Sequence, residues 1–556
     1  MAQEKGQIRM GVIDQAAELR ASLEAKRACW GAEPRALVWQ PEPPAEGDAA
    51  AARRLAQGVL LFDGRIVAIP PGRQPWTLPC PSPAWSAALH GHGWIDDLSA
   101  SNHAQSRRVL IGWVHGWIEV FGRGSGPGWR PELAARRLIR WIAHATDLLN
   151  GADAATSHAF FRTLSAHARF LDRRWRHSGP GLARLEALSG QVYARLSLER
   201  GMPAEEAIAQ LGKAAEAMVD PDGALASRNP EDLLRLVEML GWTAEVIEAA
   251  GKRADPRHLN ALSRALPVLG RLCHADGRLA RFHGGRAGAT DAVTRAAAAA
   301  PVTPMPPAEG PAMGFVNLKS GASSLILDAA SPPKAETACP HRSPLALEFT
   351  HGSQPILVSA GTGRGFGPEA DAESRQMRAH SCMVLGEGVQ EPHELSGAVS
   401  ARVTEEADGI WALGESMAFH ASTGLRHERR LHLARSGLAL SGEDTLVAGS
   451  AEERARLTSA MPEDLAPRRF AALFLAHPDI AVEPALNGRA ALLRLPDGAK
   501  WMLRTDSQSV ALRPVRYFET GRTHPRATKQ IVVSGEILQY WARITWTLER
   551  LAPAPV

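Results

Sequence analysis

The stretch "AAAAAPVTPMPPAEGPAM", residues 296–313, divides this chain into two halves of different periodicity. Pro301, Pro304, Pro306, Pro307 and Pro311 remove backbone donors and fix φ, so the segment reads as a linker. Before it, apolar residues recur at three- and four-residue spacing. "PELAARRLIRWIAHATDLL" (131–149) puts Leu138, Trp141, Ile142, Ala145 and Leu149 on one stripe, with Pro131 suited to a first helical turn. "GLARLEALSGQVYARLSL" (181–198) repeats the pattern with Leu182, Leu185, Leu188, Val192 and Leu196. Further helices are predicted near 153–175, 203–219, 229–251 and 255–273, joined by short breaks, which makes sequential helices antiparallel neighbours.

After the linker, the apolar runs are short or alternate: "GFVNLKSG", "SSLILDAA", "LALEFTHG", "QPILVSAG", "RRLHLARSGLALSGED" and "QIVVSGEILQYWARITWTLER". Gly, Asp and Pro punctuate them, as in a β-sandwich. Tryptophan follows the same division, since 11 of the 15 lie at or before Trp242. The expected architecture is multidomain α+β: a helical domain, then an antiparallel β-sandwich. Its segments are an irregular or helical extension over 1–100, the helical domain over 101–295, the linker over 296–313 and the sandwich over 314–556.

At 556 residues, more than one core is the default. A net charge of +4 gives no case for a nucleic-acid partner. Cys29, Cys80, Cys273, Cys339 and Cys382 are scattered with no CxxC pair, so reduced thiols are expected. No apolar run approaches the ~20 residues of a membrane span, and residues 1–30 mix charges without a signal-like apolar core. A cytoplasmic location is the expectation from these features. The glycine-rich "ILVSAGTGRGFG" is followed by another short strand instead of a helix, which excludes a dinucleotide loop.

Five stretches in order resemble the bacterial heparinase II/III-like polysaccharide lyases. They are "PDGALASRNP" (221–230), "RAHSCMVL" (378–385), "GLRHERRLHLARSGLALSGEDTLVAG" (424–449), "LFLAHPDIAVEP" (473–484) and "HPRATKQIVVSG" (524–535). The resemblance implies an α/α toroid joined to a β-sandwich, with a cleft for acidic polysaccharide or oligosaccharide between them. It also permits a periplasmic location. The implied reaction is β-elimination: the C5 proton of a uronic acid is removed, its carboxylate is neutralised, and the 4-linked sugar leaves.

Carried over by position, His380 fits the sandwich histidine as base or metal ligand, and His341 fits a second histidine beside it. A divalent metal held by His341 and His380 is the cofactor the resemblance allows. Cys339 stands where the family has the first histidine of that strand. Ser343 and Ser359 stand where it has acidic residues, and Ala224 and Leu225 replace Gly and His. Arg228 and Asn229 are the groups left to balance a uronate. Arg173, Arg174, Trp175 and Arg176 of "DRRWRHS", together with Arg378, are candidates to grip an acidic sugar.

Each residue also has a plainer reading. His380 can be a strand-end histidine satisfied by backbone, and His341 can belong to a loop. Asn229 before Pro230 and "EDLLRLVEML" has the form of a helix cap. The basic stretch 172–178 can be a solvated helix end, and His477 has a structural look. Two functions therefore stand: a lyase, or a non-catalytic descendant that binds a glycan or a protein partner.

Overall fold

The computed structural model describes residues 20–31, 36–43, 46–198, 203–333, 339–386, 397–460, 468–507, 509–519 and 521–552. Its contacts divide the chain into two units. The helical unit comprises Met1–Met218, Leu236–Leu262 and Ala299–Thr303; the sandwich unit comprises Val219–Arg235, Ser263–Ala298 and Pro304–Val556. Two segments that the periodicity places among the helices, Val219–Arg235 and Ser263–Ala298, thus make their contacts with the sandwich.

In the helical unit, Pro131–Ala143, Ala154–Arg174 and Leu182–Ser197 are the long central helices. Leu138, Trp141, Ile142 and Ala145 are buried as the stripe predicts. Leu149 is only half-buried and Leu148 is buried in its place. The cause is local: His144 closes the first helix at φ −102°, ψ 17°, which breaks the 3.6-residue phase. Asp153 caps the next helix by accepting from Thr156 N at 2.7 Å. A two-stranded hairpin, β1 (Val59–Phe62) and β2 (Arg65–Ala68), precedes these helices.

Among its described residues, the sandwich unit contains three antiparallel sheets. The four-stranded sheet β3 (Phe315–Ser320), β4 (Ser323–Asp328), β5 (Leu347–His351), β6 (Gln354–Leu357) is a simple meander. The second runs β16 (Val510–Tyr517), β17 (Arg526–Ile537), β12 (Arg468–Leu475), β7 (Met383–Leu385). The largest has eight strands, in the order β13 (Ala481–Ala485), β14 (Ala490–Arg494), β15 (Lys500–Thr505), β18 (Trp541–Arg550), β11 (Ala439–Val447), β10 (Arg426–Ala434), β9 (Gly409–Ser416), β8 (Val399–Glu405). Both small sheets lie on its inner face: Phe474 of β12 meets Trp546 of β18 at 4.7 Å between ring centroids, and Phe349 of β5 meets Trp501 of β15 at 5.6 Å.

The charged hairpin at 424–449 is β10 and β11, and its motif has an internal reason. Alternation turns His427, Arg429 and Asp444 inward, and the register sets Arg429 opposite Asp444. Asp444 Oδ1 accepts from Arg429 Nε at 2.6 Å and lies 2.8 Å from His427 Nε2; Oδ2 accepts from Trp546 Nε1 at 3.0 Å. Burial pushes this carboxyl up, but Arg429 and His427 outweigh it and hold it well below the usual carboxylate range. Gly442 is required beside it, because a Cβ there would sit 2.1 Å from the Trp546 ring. Asp444→Ala is expected to cost about 3–5 kcal/mol by leaving a buried guanidinium unpaired. Paired apolar replacement, Arg429→Met with Asp444→Leu, should recover most of that loss in denaturant unfolding.

Candidate functional site

The sequence around Asp220 makes a tight turn before the helix Pro230–Ala249. Asp220 Oδ1 accepts from Asp222 N at 3.0 Å and Ala224 N at 2.7 Å. Gly223, at φ +83°, passes so close to the Arg264 carbonyl that a Cβ would lie 2.1 Å from it. Arg228 follows in the left-handed region at φ +50°. Asn229 Oδ1 then accepts from Glu231 N at 2.9 Å and faces Asp232 N at 3.4 Å. Asn229 is therefore the helix cap, its side-chain oxygen engaged by backbone amides.

Arg228 is 8% exposed, and its guanidinium is committed throughout. Nε donates to Met313 O at 3.1 Å; Nη1 donates to Ala330 O at 3.0 Å and Ser331 O at 2.7 Å; Nη2 donates to Gly314 O at 3.0 Å and to Asp328 Oδ1. The five N–H groups of an arginine are thereby all used. Its flat face lies 4.7 Å over the Phe315 ring. Arg228 is a tie between the helix start and the end of β4, in place of the uronate clamp the sequence suggested.

Asp328, at the end of β4, is the centre of the buried group. Burial raises its carboxyl, and Arg228 with His283 more than reverses that. His283 Nδ1 accepts from His341 N at 3.2 Å, which leaves the proton on Nε2, 3.4 Å from Asp328 Oδ2 but outside good hydrogen-bond geometry. His341 faces two amides: His283 N at 3.1 Å from Nδ1 and Gly284 N at 3.0 Å from Nε2. A neutral imidazole has one lone pair in its plane, so it accepts from only one of these amides, and that bond uses the lone pair. Burial, then His380 and His283, holds the ring far below the usual histidine range.

His380 packs on His341 with ring centroids 4.5 Å apart at 31°. It is 0% exposed, with the Ser374 backbone facing the ring and no close hydrogen bond to either nitrogen among the described residues. Burial first, then His283, lowers its pKa to about 4, against the pull of Asp328 and Glu348. The two imidazoles are tilted against each other, and no group of three or more His, Cys, Asp or Glu is placed to hold a metal ion among the described residues. Cys339 is buried and receives a hydrogen bond from Arg364. Ser343 Oγ lies 3.4 Å from Asp328 Oδ2, while Ser359 N donates to Glu348 Oε1 at 2.9 Å.

Glu348 on β5 forms a second buried centre that sequence reading missed. His274 Nε2 lies 3.1 Å from Oε2, and Arg281 reaches the same oxygen through N at 3.2 Å and Nη1 at 3.3 Å. Arg281 also meets Tyr517 of β16. Burial opposes ionisation of Glu348, yet Arg281 and His274 bring its pKa down to about 2. Isolated His, Arg and Glu in short segments carry no spacing that would have announced this group.

The remaining candidates are dispersed. Arg378, in a turn at Met377–Ala379, is half-buried, and its carbonyl accepts from Gln530 Nε2 at 2.9 Å. Arg173, Arg174, Trp175 and Arg176 lie in the helical unit. Arg173 is 3.8 Å from Glu24, and Arg176 stacks its guanidinium 4.5 Å over Trp175, covering one face of that indole.

Two outcomes follow from the buried charges. Arg228→Met should destabilise the sandwich unit by about 3–5 kcal/mol, because Asp328 keeps its charge and loses its main partner. For His380, the unfolded ring protonates near pH 6.5 and the folded ring near 4, so stability present above 6.5 is lost as pH falls toward 4. Comparing unfolding of wild type and His380→Gln across that window should reveal a difference of about 3 kcal/mol.

A family model described as "Heparinase II/III-like, C-terminal" matches residues 302–547. A crystal structure of heparinase III matches with a TM-score of 0.66 and 12% identity, over 91% of this chain and 85% of that one. The heparan sulfate lyase HepC from Pedobacter heparinus matches with a TM-score of 0.57 and 13% identity, over 99% of this chain and 91% of that one. A sequence relative, FtsZ-localized protein C of Caulobacter vibrioides (strain NA1000 / CB15N), is 28% identical over 591 residues, covering 98% of this chain and 97% of that protein. The fold is that of the heparinases, helical toroid followed by antiparallel β-sandwich, and residues 302–547 are similar to the heparinase II/III-like C-terminal domain.

Proposed function

We propose that the chain keeps the lyase scaffold as a binding module for an acidic glycan and does not carry out β-elimination. The observation that supports this reading most directly is the full use of Arg228, whose five N–H groups end on four carbonyls and Asp328. A lyase must neutralise the uronate carboxylate before C5 gives up its proton. Here the arginine suggested for that task has no donor left, and Asn229 caps a helix. His380, the suggested base, is fully buried with a pKa of about 4, far from the value that suits a general base near neutral pH.

The relative's name, FtsZ-localized protein C, supports the same direction, since it describes a place in the dividing cell. By that likeness, the scaffold serves at the division site. The second reading is an active polysaccharide lyase, favoured by the heparinase III fold match over 91% of the chain. One experiment separates them. The full chain is incubated with uronate-containing polysaccharides, following the absorbance of the unsaturated product and, in parallel, retention of the same glycans. A flat trace with saturable retention is expected. Steady product formation that disappears in His380→Ala would replace the proposal with the lyase; a flat trace with no retention would remove the glycan from it.

A further inference from the structure

The helical unit contains a buried cation with no counter-charge among the described residues. Arg137, in the helix Pro131–Ala143, is 0% exposed. Nη1 donates to His90 O at 2.6 Å; Nη2 donates to Gly128 O at 2.7 Å and lies 3.2 Å from His167 Nε2. The guanidinium sits 4.2 Å over the Trp117 ring. Its helix neighbours Arg136 and Arg140 pair with Glu186 and Asp96, but no carboxylate pairs with Arg137 among the described residues. Arginines this deeply buried are ordinarily paired.

The hydrogen bonds around it determine the histidine tautomers. An indole N–H only donates, and Trp141 Nε1 gives its proton to His92 Nδ1 at 3.1 Å, so His92 carries its own proton on Nε2. Arg137 also only donates, which makes His167 Nε2 the acceptor and puts the His167 proton on Nδ1. Among the described residues, His92 Nε2, His167 Nδ1, Arg137 Nε and Trp76 Nε1 are all buried without a partner. Every one of these orphan groups is a donor. They share one aromatic box: His92 lies 5.6 Å from Trp117 and 5.7 Å from Trp141, and His167 lies 5.5 Å and 5.2 Å from the same two rings.

Buried polar groups without partners call for an explanation, and an excess of donors around a positive charge is satisfied by an anion. A water molecule would accept from two of the groups but bring two more donors into the box. Ring centroids at 4.6–5.8 Å favour a single atom over a tetrahedral oxyanion. We propose that the core of the helical unit is a binding site for a monovalent anion of halide size, held by Arg137 with the N–H groups of His92 and His167. The ion would supply the missing counter-charge and make the helical unit's stability depend on halide.

Bromide tests this with the full chain. Crystals soaked in sodium bromide should show an anomalous peak within hydrogen-bond distance of the Arg137 guanidinium. Thermal unfolding at constant ionic strength, with gluconate as the balancing anion, should shift upward with the logarithm of bromide concentration. Arg137→Gln should abolish that shift. Trp76→Phe, which removes one donor and keeps an aromatic ring in the box, should weaken it several-fold and keeps the test decisive if Arg137→Gln does not fold. Bromide found only at surface sites, or an unfolding midpoint indifferent to bromide in wild type, would overturn the proposal.

Discussion

The carboxylate of Asp328 sits at the end of β4 with almost no water, and the arrangement around it depends on how that charge is answered. Arg228 answers it from the turn before the helix Pro230–Ala249, and His283 does so from the segment that follows the helices. A second carboxylate, Glu348, draws in His274 and Arg281 from the same segment. These buried charges explain why Val219–Arg235 and Ser263–Ala298 group with the sandwich unit. Isolated ions at such depth would cost several kcal/mol each, so the partners must come from whichever segment can deliver them.

That solution has a chemical consequence. A guanidinium is useful to a glycan only where donors remain free, and an imidazole is useful as a base only where water and substrate reach it. Arg228 has given its donors to carbonyls and Asp328, and His341 faces two amides. His283, His341 and His380 all have lowered pKa values, with burial the largest cause in each. His341 lies between His283 and His380 in one buried row of rings, and the heparinase fold is retained with its polar interior turned to holding itself together.

The two units manage buried arginine differently. In the sandwich unit, Arg228, Arg281 and Arg429 each reach a carboxylate, and Asp328, Glu348 and Asp444 are correspondingly held below the usual range. In the helical unit, Arg137 relies on two carbonyls, His167 and the face of Trp117. The contrast follows from the elements. Strand alternation places acidic and basic residues opposite one another at a set register, as with Arg429 and Asp444. Around Arg137 the tryptophan-rich helix core offers π faces, and the nearby carboxylates Asp96 and Glu186 are taken by Arg140 and Arg136.

Periodicity alone determined much of the architecture. The change from a 3.6-residue to a two-residue repeat across residues 296–313 separates helices from strands, because the two backbones turn side chains at different intervals. The Asn229 cap was equally readable, since Asn-Pro before an acidic first turn is a local arrangement. The motif at 424–449 could be seen but not explained, because its meaning is a cross-strand ion pair. What Arg228 and His380 do was decided only in three dimensions. Whether a guanidinium meets solvent or five buried acceptors, and whether an imidazole is open or stacked at 0% exposure, depends on residues distant in the chain, and no local spacing encodes their approach.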